Sequence, residues 1–247
     1  MALRPKFSII TVTYNASSVI EPTLQSVAAQ SYKNYEYLLI DGASTDDTVS
    51  KAVATGMEFA HIVSEGDSGL YDAMNKGIAL ATGDYLCFLN AGDALYAPDT
   101  LERMVAAIED MPSLPCVIYG ETAEVDDQRR FIRMRRLQAP ENLNWKSFKK
   151  GMLVCHQAFF VRRDLAPRYN LKYRLSADVD WCIRVMKKSS QLVNTHTTII
   201  NYLQNGLSLQ NHRASLIERF NIMCKHYGVL STVLHHVWFV FRAIIKK

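Results

Sequence analysis

The sequence predicts an α/β protein built on a Rossmann-like, mostly parallel sheet. Short apolar runs alternate with helical patterns through about residue 110, which is the signature of βαβ units. Several of those runs stop abruptly at polar turns rich in Asp and Asn, where an open α/β sheet presents its ligands. With 247 residues, 49% of them hydrophobic and 21% charged, the chain can bury one sizeable core.

Phe7–Thr13 is short and β-branched and reads as the first strand. Pro22 begins a helical pattern with Leu24, Val27 and Ala28 on one face. Tyr35–Ile40 is the second strand and ends at Asp41-Gly-Ala-Ser-Thr-Asp-Asp-Thr48, a turn rich in capping residues that leads into a helix. Phe59–Val63 reads as a third strand, Ala73–Ala81 as a helix stopped by Gly83, and Tyr85–Leu89 as a fourth strand. Beyond residue 110 the pattern changes. A hairpin is expected over Val117–Arg136 around Asp126-Asp127-Gln128, then shorter mixed elements, then two helices at 214–227 and 229–245. No repeats or low-complexity tracts interrupt this order.

A net charge of +4 gives no case for nucleic acid as a partner. The five cysteines are odd in number and scattered without a C-x-x-C pair, so neither a zinc site nor a disulfide framework is indicated. The N-terminus reaches a strand by Phe7 without a secretory apolar region, and the expected location is the cytoplasm.

Four turns carry candidate chemistry. Asp41, at a strand end, can accept hydrogen bonds from a base or ribose, whereas Asp46 reads as a helix cap. In Thr11-Val-Thr-Tyr-Asn15 the Tyr14 ring can stack on a base and Thr11 and Asn15 can bond its edge; the alternative is a plain strand end with a turn-forming Asn. Phe88-Leu-Asn-Ala-Gly-Asp93 ends a strand with Asn90 and Asp93 where a divalent cation could bridge protein and diphosphate, although Asn, Gly and Asp are also ordinary turn residues. Ser176-Ala-Asp-Val-Asp-Trp181 places Asp178 and Asp180 at the head of an apolar helix. Helix dipoles favour acids there, so one can be structural and the other a general base; spacing does not choose between them.

These turns in this order resemble the family 2 glycosyltransferases over roughly residues 5–210, with Asn75-Lys-Gly77 and Ala81-Thr-Gly-Asp84 as further matching pieces. Ser64–Gly77 and Cys155-His-Gln-Ala-Phe159 are similar to the branch that builds bacterial exopolysaccharide of the colanic-acid type. The resemblance implies the A-type, nucleotide-diphospho-sugar transferase fold. It assigns residues 1–212 to a catalytic domain (about 1–110 for the nucleotide sugar, 111–212 for the acceptor) and 213–247 to amphipathic helices. It implies inverting sugar transfer from a UDP- or GDP-linked donor, aided by Mg²⁺ or Mn²⁺. Asp178 would be the catalytic base, and Thr11, Tyr14, Asn15, Asp41, Asp72, Lys76 and Asn90 would contact the donor. Asp93 would hold the metal with His156 as an additional ligand, the alternative for His156 being a core or acceptor-binding role. The family's Asp-x-Asp signature is altered, since Asn90 and Gly92 stand where its two acids are usual, and Met74 replaces a common Arg. That alteration makes a catalytically silent nucleotide-sugar-binding scaffold the alternative. A nucleotidyltransferase would open with a Gly-rich basic loop, and residues 11–18 contain no Gly, Lys or Arg.

Residues 129–150 are strongly basic, through Arg129, Arg130, Arg133, Arg135, Arg136, Lys146, Lys149 and Lys150. They read as a solvated surface, or as an attraction for a pyrophosphate-linked acceptor or an anionic membrane face. Leu230, Val233, Leu234, Val237, Phe241 and Ile244 recur at helical spacing, with Trp238, Phe239 and Val240 widening the stripe and Arg242, Lys246 and Lys247 adding charge. This run falls short of the roughly 20 residues needed to span a bilayer. It fits a helix lying on the inner membrane surface, near a lipid-linked saccharide acceptor, or one packed on the domain or on a second subunit.

Overall fold

The computed structural model describes residues 2–204 and 211–245, with side chains described except at 212 and 238–245. The expected contributions of Trp238 to Ile244, and of Lys246 and Lys247, therefore lie outside the described side chains.

The first half is the expected alternation. Strand β1 (Phe7–Thr13) is followed by α1 (Ile20–Ala28), β2 (Tyr35–Asp41), α2 (Thr48–Ala54), β3 (His61–Ser64), α3 (Leu70–Leu80) and β4 (Tyr85–Phe88). All four strands are parallel, in the order β3-β2-β1-β4. β1 is buried along its whole length, as a strand covered on both faces must be. Helix α3 begins three residues before the apolar pattern suggested, because Gly69, at φ 115°, turns the chain and Asp72 accepts the Ser68 N–H at 3.0 Å. Gly77 lets α3 lie against β1, since a Cβ there would stand 2.5 Å from Ile10 Cγ2.

The second half extends the same sheet. After β5 (Ala94–Leu95) and α4 (Thr100–Ala106) come β6 (Val117–Val125), β7 (Phe131–Met134), β8 (Phe159–Arg162), α5 (Ala177–Lys188) and β9 (Leu192–Leu203). β8 runs antiparallel between β4 and β6, β9 lies parallel to β6, and β5 pairs antiparallel with β9. The whole order is β3-β2-β1-β4-β8-β6-β9-β5, with β7 completing the predicted hairpin on β6. The sheet is thus mixed: parallel on the N-terminal side, with antiparallel pairs beyond β4.

That order forces the sheet to curl. In a flat sheet β4 and β5 would lie four strand spacings, about 19 Å, apart. Only six residue steps join Phe88 to Ala94, about 20 Å if fully extended. Those steps include a tight turn closed by Asp93 N–H to Asn90 C=O at 2.9 Å. β9 therefore wraps back and brings Leu203 to the tip of β4. Two helices close the chain, α6 (His212–Tyr227) and α7 (Val229–Ile245). Ile222 of α6 is part of the main core, whereas Leu230, Val233, Leu234 and Val237 of α7 are exposed. Among the described residues no helix is long and apolar enough to cross a membrane.

Candidate active site

The sheet reverses its strand order between β1 and β4, and the C-terminal tips of these neighbours define the crevice in which an open α/β fold binds ligands. Two buried oxygens there have no hydrogen-bond partner: Thr13 Oγ1, at the tip of β1, and Asn90 Oδ1, just past β4. Buried polar groups are almost always satisfied, so two orphans on adjacent strand tips call for a water, an ion or a polar ligand there.

The β1 and β2 tips are knitted together. Asn15, at φ 47°, accepts the Thr45 N–H at 2.9 Å and donates its own N–H to Ser44 Oγ at 2.8 Å. Asp46 receives Ser17 N–H at 3.0 Å. Asp41 is buried at the end of β2, where its carboxylate accepts from Ser44 N–H at 2.8 Å, Ser64 Oγ at 2.6 Å and Ser44 Oγ. Its oxygens thus hold the turn in shape. Thr11 lies inside the sheet, bonded to the Tyr37 hydroxyl at 2.9 Å, and it is Thr13 that reaches the crevice. Tyr14, 66% exposed, and the Asp67 carboxylate both flank Gly42, each within 3.4 Å of the space a Gly42 Cβ would occupy. On α3, Asp72 accepts the Ser68 N–H just before the helix, and Lys76 is tied to Glu65 and the Gly66 carbonyl at 2.9 Å each.

Asp93 is buried and turned inward. Its Oδ2 accepts from Gln157 Nε2 at 2.7 Å and its Oδ1 from Leu203 N–H at 3.0 Å. Burial pushes its carboxyl up to about 7, although both hydrogen bonds and the Arg129 charge oppose this. Arg129, at φ 64° in the β6–β7 turn, donates to the Gly92 carbonyl and, at 3.4 Å, to that of Val19. Sequence spacing gave no sign of this long-range tether.

His156 is also buried. Its ring stacks on Phe88 with centroids 5.4 Å apart, and its Nε2 meets the Tyr169 hydroxyl at 2.7 Å. Burial lowers its pKa, with Asp178 opposing, so the ring is held neutral. Tyr169 stacks in turn on Trp181 (5.0 Å) and Tyr71 (5.4 Å). Asn75 pins it by accepting its N–H at 2.7 Å and donating to its carbonyl at 3.2 Å. This aromatic wall ends at the candidate base. The Tyr71 hydroxyl donates to Asp178 Oδ1 at 3.1 Å, and Val179 N–H donates to the same oxygen at 2.9 Å. Asp178 Oδ2 has no protein donor among the described residues. Burial, with Asp178 adding to it, raises Tyr71 far above an ordinary phenol, so Tyr71 remains a donor.

The structure therefore brings Asp93 and Asp178 to two sides of the Cys155–Gln157 turn. Burial, with both acids reinforcing it, pushes the Cys155 thiol up to about 11. Asp41 sits further along the crevice, at the β2 tip. Asp180 has a different role from Asp178: it is fully buried and bonded to Arg184, Lys225 and His226. Tyr71, Thr13, Gln157 and Arg129 were not separated from their surroundings by the sequence. Of these only Tyr71 carried a signal, an aromatic ring four residues before Asn75 and so on the same face of α3, the face that packs on Tyr169.

Whether these side chains fit a divalent cation can be tested on their oxygens. Among the described residues no three His, Cys, Asp or Glu converge. Asp93 and His156 Nε2 are engaged by protein partners, whereas the orphaned Asn90 Oδ1 is a hard, neutral donor. These oxygens do not cage a cation by themselves; they suit one that brings most of its ligands with it.

Comparison with known proteins identifies the family and the fold. Residues 8–168 match the family model described as glycosyl transferase family 2. A PGL/p-HBAD biosynthesis glycosyltransferase of Mycobacterium bovis is 37% identical over 210 residues, covering 82% of this chain and 78% of that protein. The amylovoran biosynthesis glycosyltransferase AmsB of Erwinia amylovora is 29% identical over 208 residues, covering 79% and 69%. The structure of S. aureus TarS 1–349 in complex with UDP-GlcNAc superposes with a TM-score of 0.72 at 16% identity, covering 88% of this chain and 64% of that one, a likeness of fold. On its residues, its topology and these relatives, the chain belongs to glycosyl transferase family 2.

Proposed function

We propose that this glycosyltransferase transfers a sugar, with inversion, from a UDP- or GDP-linked donor to a hydroxyl of a lipid-linked saccharide acceptor in bacterial surface polysaccharide assembly. The observation that carries this reading is Asp178, whose Oδ1 is fixed by Tyr71 and Val179 while Oδ2 stays open. A single displacement inverts the anomeric carbon. The acceptor hydroxyl forms the new C–O bond on one face as the bond to the diphosphate breaks on the other. Asp178 Oδ2 takes the hydroxyl proton, and the fixed carboxylate needs no reorientation as it does so.

The donor lies along the β1–β4 crevice. Tyr14 stacks on the base, Asp67 and the Asn15–Asp41 turn line the nucleoside end, and Thr13 Oγ1 donates to a donor oxygen, while Asn90 Oδ1, an acceptor, is left for a donor hydroxyl or a cation. Mg²⁺ or Mn²⁺ bound with the donor would be held by Asn90, and by Asp93 once it leaves Gln157 and Leu203; it would supply charge neutralisation on the leaving diphosphate. His156 supports the aromatic wall rather than the ion. In this reading residues 1–110 serve the donor and 111–212 the acceptor. The exposed apolar face of α7, near Lys146 and Lys187 over Trp145 and Lys149 over Tyr227, rests on the inner face of the membrane. The relatives named for PGL/p-HBAD and amylovoran biosynthesis support a role in building surface glycoconjugates.

Asp178→Asn tests the reading. Transfer should fall by about 10²–10⁴-fold, the usual worth of a general base, while donor affinity stays within twofold. Turnover near that of the wild type would reject Asp178 as the base.

A further inference from the structure

We infer that Glu218, on α6, is a positioning residue for Asp178, which makes the C-terminal helix a working part of the catalytic apparatus. The inference rests on the reading of Asp178 as the base. Glu218 Oε1 accepts the Arg174 N–H at 2.9 Å, and its Oε2 accepts those of Leu175 at 2.8 Å and Ser176 at 2.9 Å. Three successive amides converge on one carboxylate, an arrangement that binds anions through backbone dipoles. Among the described residues Glu218 has no ion-pair partner, so its charge is met by these amides.

The amides belong to the last residues before α5, whose first turn carries Asp178. Ser176, the N-cap of α5, also meets Ser215 of α6, with Oγ to Oγ at 3.0 Å. On the far side of Asp178, Asp180 receives Lys225 Nζ at 3.0 Å and His226 Nε2 at 2.8 Å, again from α6. Burial alone would raise Asp180, but these bonds and Arg184 hold its carboxyl well below the usual carboxylate range. Residues 174–176 and 180 thus bracket Asp178, and α6 grips both. Glu218 also adds to the forces that keep the Tyr71 phenol protonated. A helix N-terminus frays readily when its entry is unpinned, and frayed residues would lose the register between Asp178 Oδ1 and the Tyr71 hydroxyl. Displacing a reacting group by about 1 Å can cost on the order of 10²-fold in rate.

The test is a cycle of wild type, Glu218→Gln, Asp178→Asn and the double variant, read in kcat, donor KM and backbone amide exchange. The Gln side chain keeps the shape but turns an NH₂ toward amide donors. Glu218→Gln should lower kcat by about 10- to 100-fold with donor KM within twofold, speed exchange at 174–176, and cost nothing further in the Asp178→Asn background. An equal loss in both backgrounds would make the role merely structural and overturn the inference, as would a wild-type kcat or unchanged exchange in Glu218→Gln. A fully active Asp178→Asn single variant is a separate outcome: it removes the base itself, whatever Glu218 does.

Discussion

Asp93 gives the sharpest quantitative expectation. Its carboxyl is buried and pushed up to about 7 from an ordinary 3.8, because desolvation outweighs the Gln157 and Leu203 hydrogen bonds and the Arg129 charge. The folded protein therefore holds a proton between about pH 4 and 7 that the unfolded chain has released. By linkage, stability falls as pH rises through that window and is level above it. At about 1.4 kcal/mol per pH unit the gap corresponds to an upper bound of about 4 kcal/mol. Asp93→Asn removes the titration. Urea unfolding at pH 5 and pH 8 should show that the wild type loses about 2 kcal/mol more stability across the interval than the variant does, since only the part of the gap from pH 5 to about 7 falls inside it. Parallel losses in the two proteins would mean that Asp93 ionises normally in the fold, and the account of its environment would be wrong.

Tyr71→Phe removes the donor to Asp178 Oδ1 while keeping the stack on Tyr169. Steady-state kinetics should show kcat down about tenfold with donor KM unchanged; an unaltered kcat would show that Tyr71 does not fix the base. Thermal stabilisation by a panel of nucleoside diphosphates, with and without Mn²⁺, should single out one base and deepen when the ion is present. Equal shifts with and without Mn²⁺, together with activity that survives chelation, would remove the cation from the reading. Truncation after Gly228 deletes the exposed face of α7 and should abolish sedimentation with vesicles rich in anionic lipid. Retained binding would place the membrane contact elsewhere.

The parallel half was legible because each strand there is a compact apolar run ending in a polar turn. The long strand β9 was not. Its middle reads Asn194-Thr-His-Thr197, and His196 adopts φ 54°, so no apolar alternation announces a strand that the neighbouring β6 nonetheless recruits. The positions of Asp41, Asp93 and Asp178 at element tips were readable for the same reason as the strands. Their hydrogen-bond partners were not. Ser64 reaches Asp41 from a neighbouring strand, Gln157 and Leu203 reach Asp93 across 64 and 110 residues, and Tyr71 reaches Asp178 across 107. Local pattern places a carboxylate; only tertiary pairing decides whether its oxygens face the protein or the crevice.

β8 is hydrogen-bonded to β4 on one side and to β6 on the other, so a single continuous sheet runs beneath both halves of the molecule. A clamshell motion, in which two lobes swing apart to admit substrate, would have to tear that ladder. On the proposed function, admission of the sugar nucleotide and escape of the spent diphosphate fall instead to short segments at the strand ends. Their rates would then respond to the stiffness of those segments rather than to any displacement between lobes.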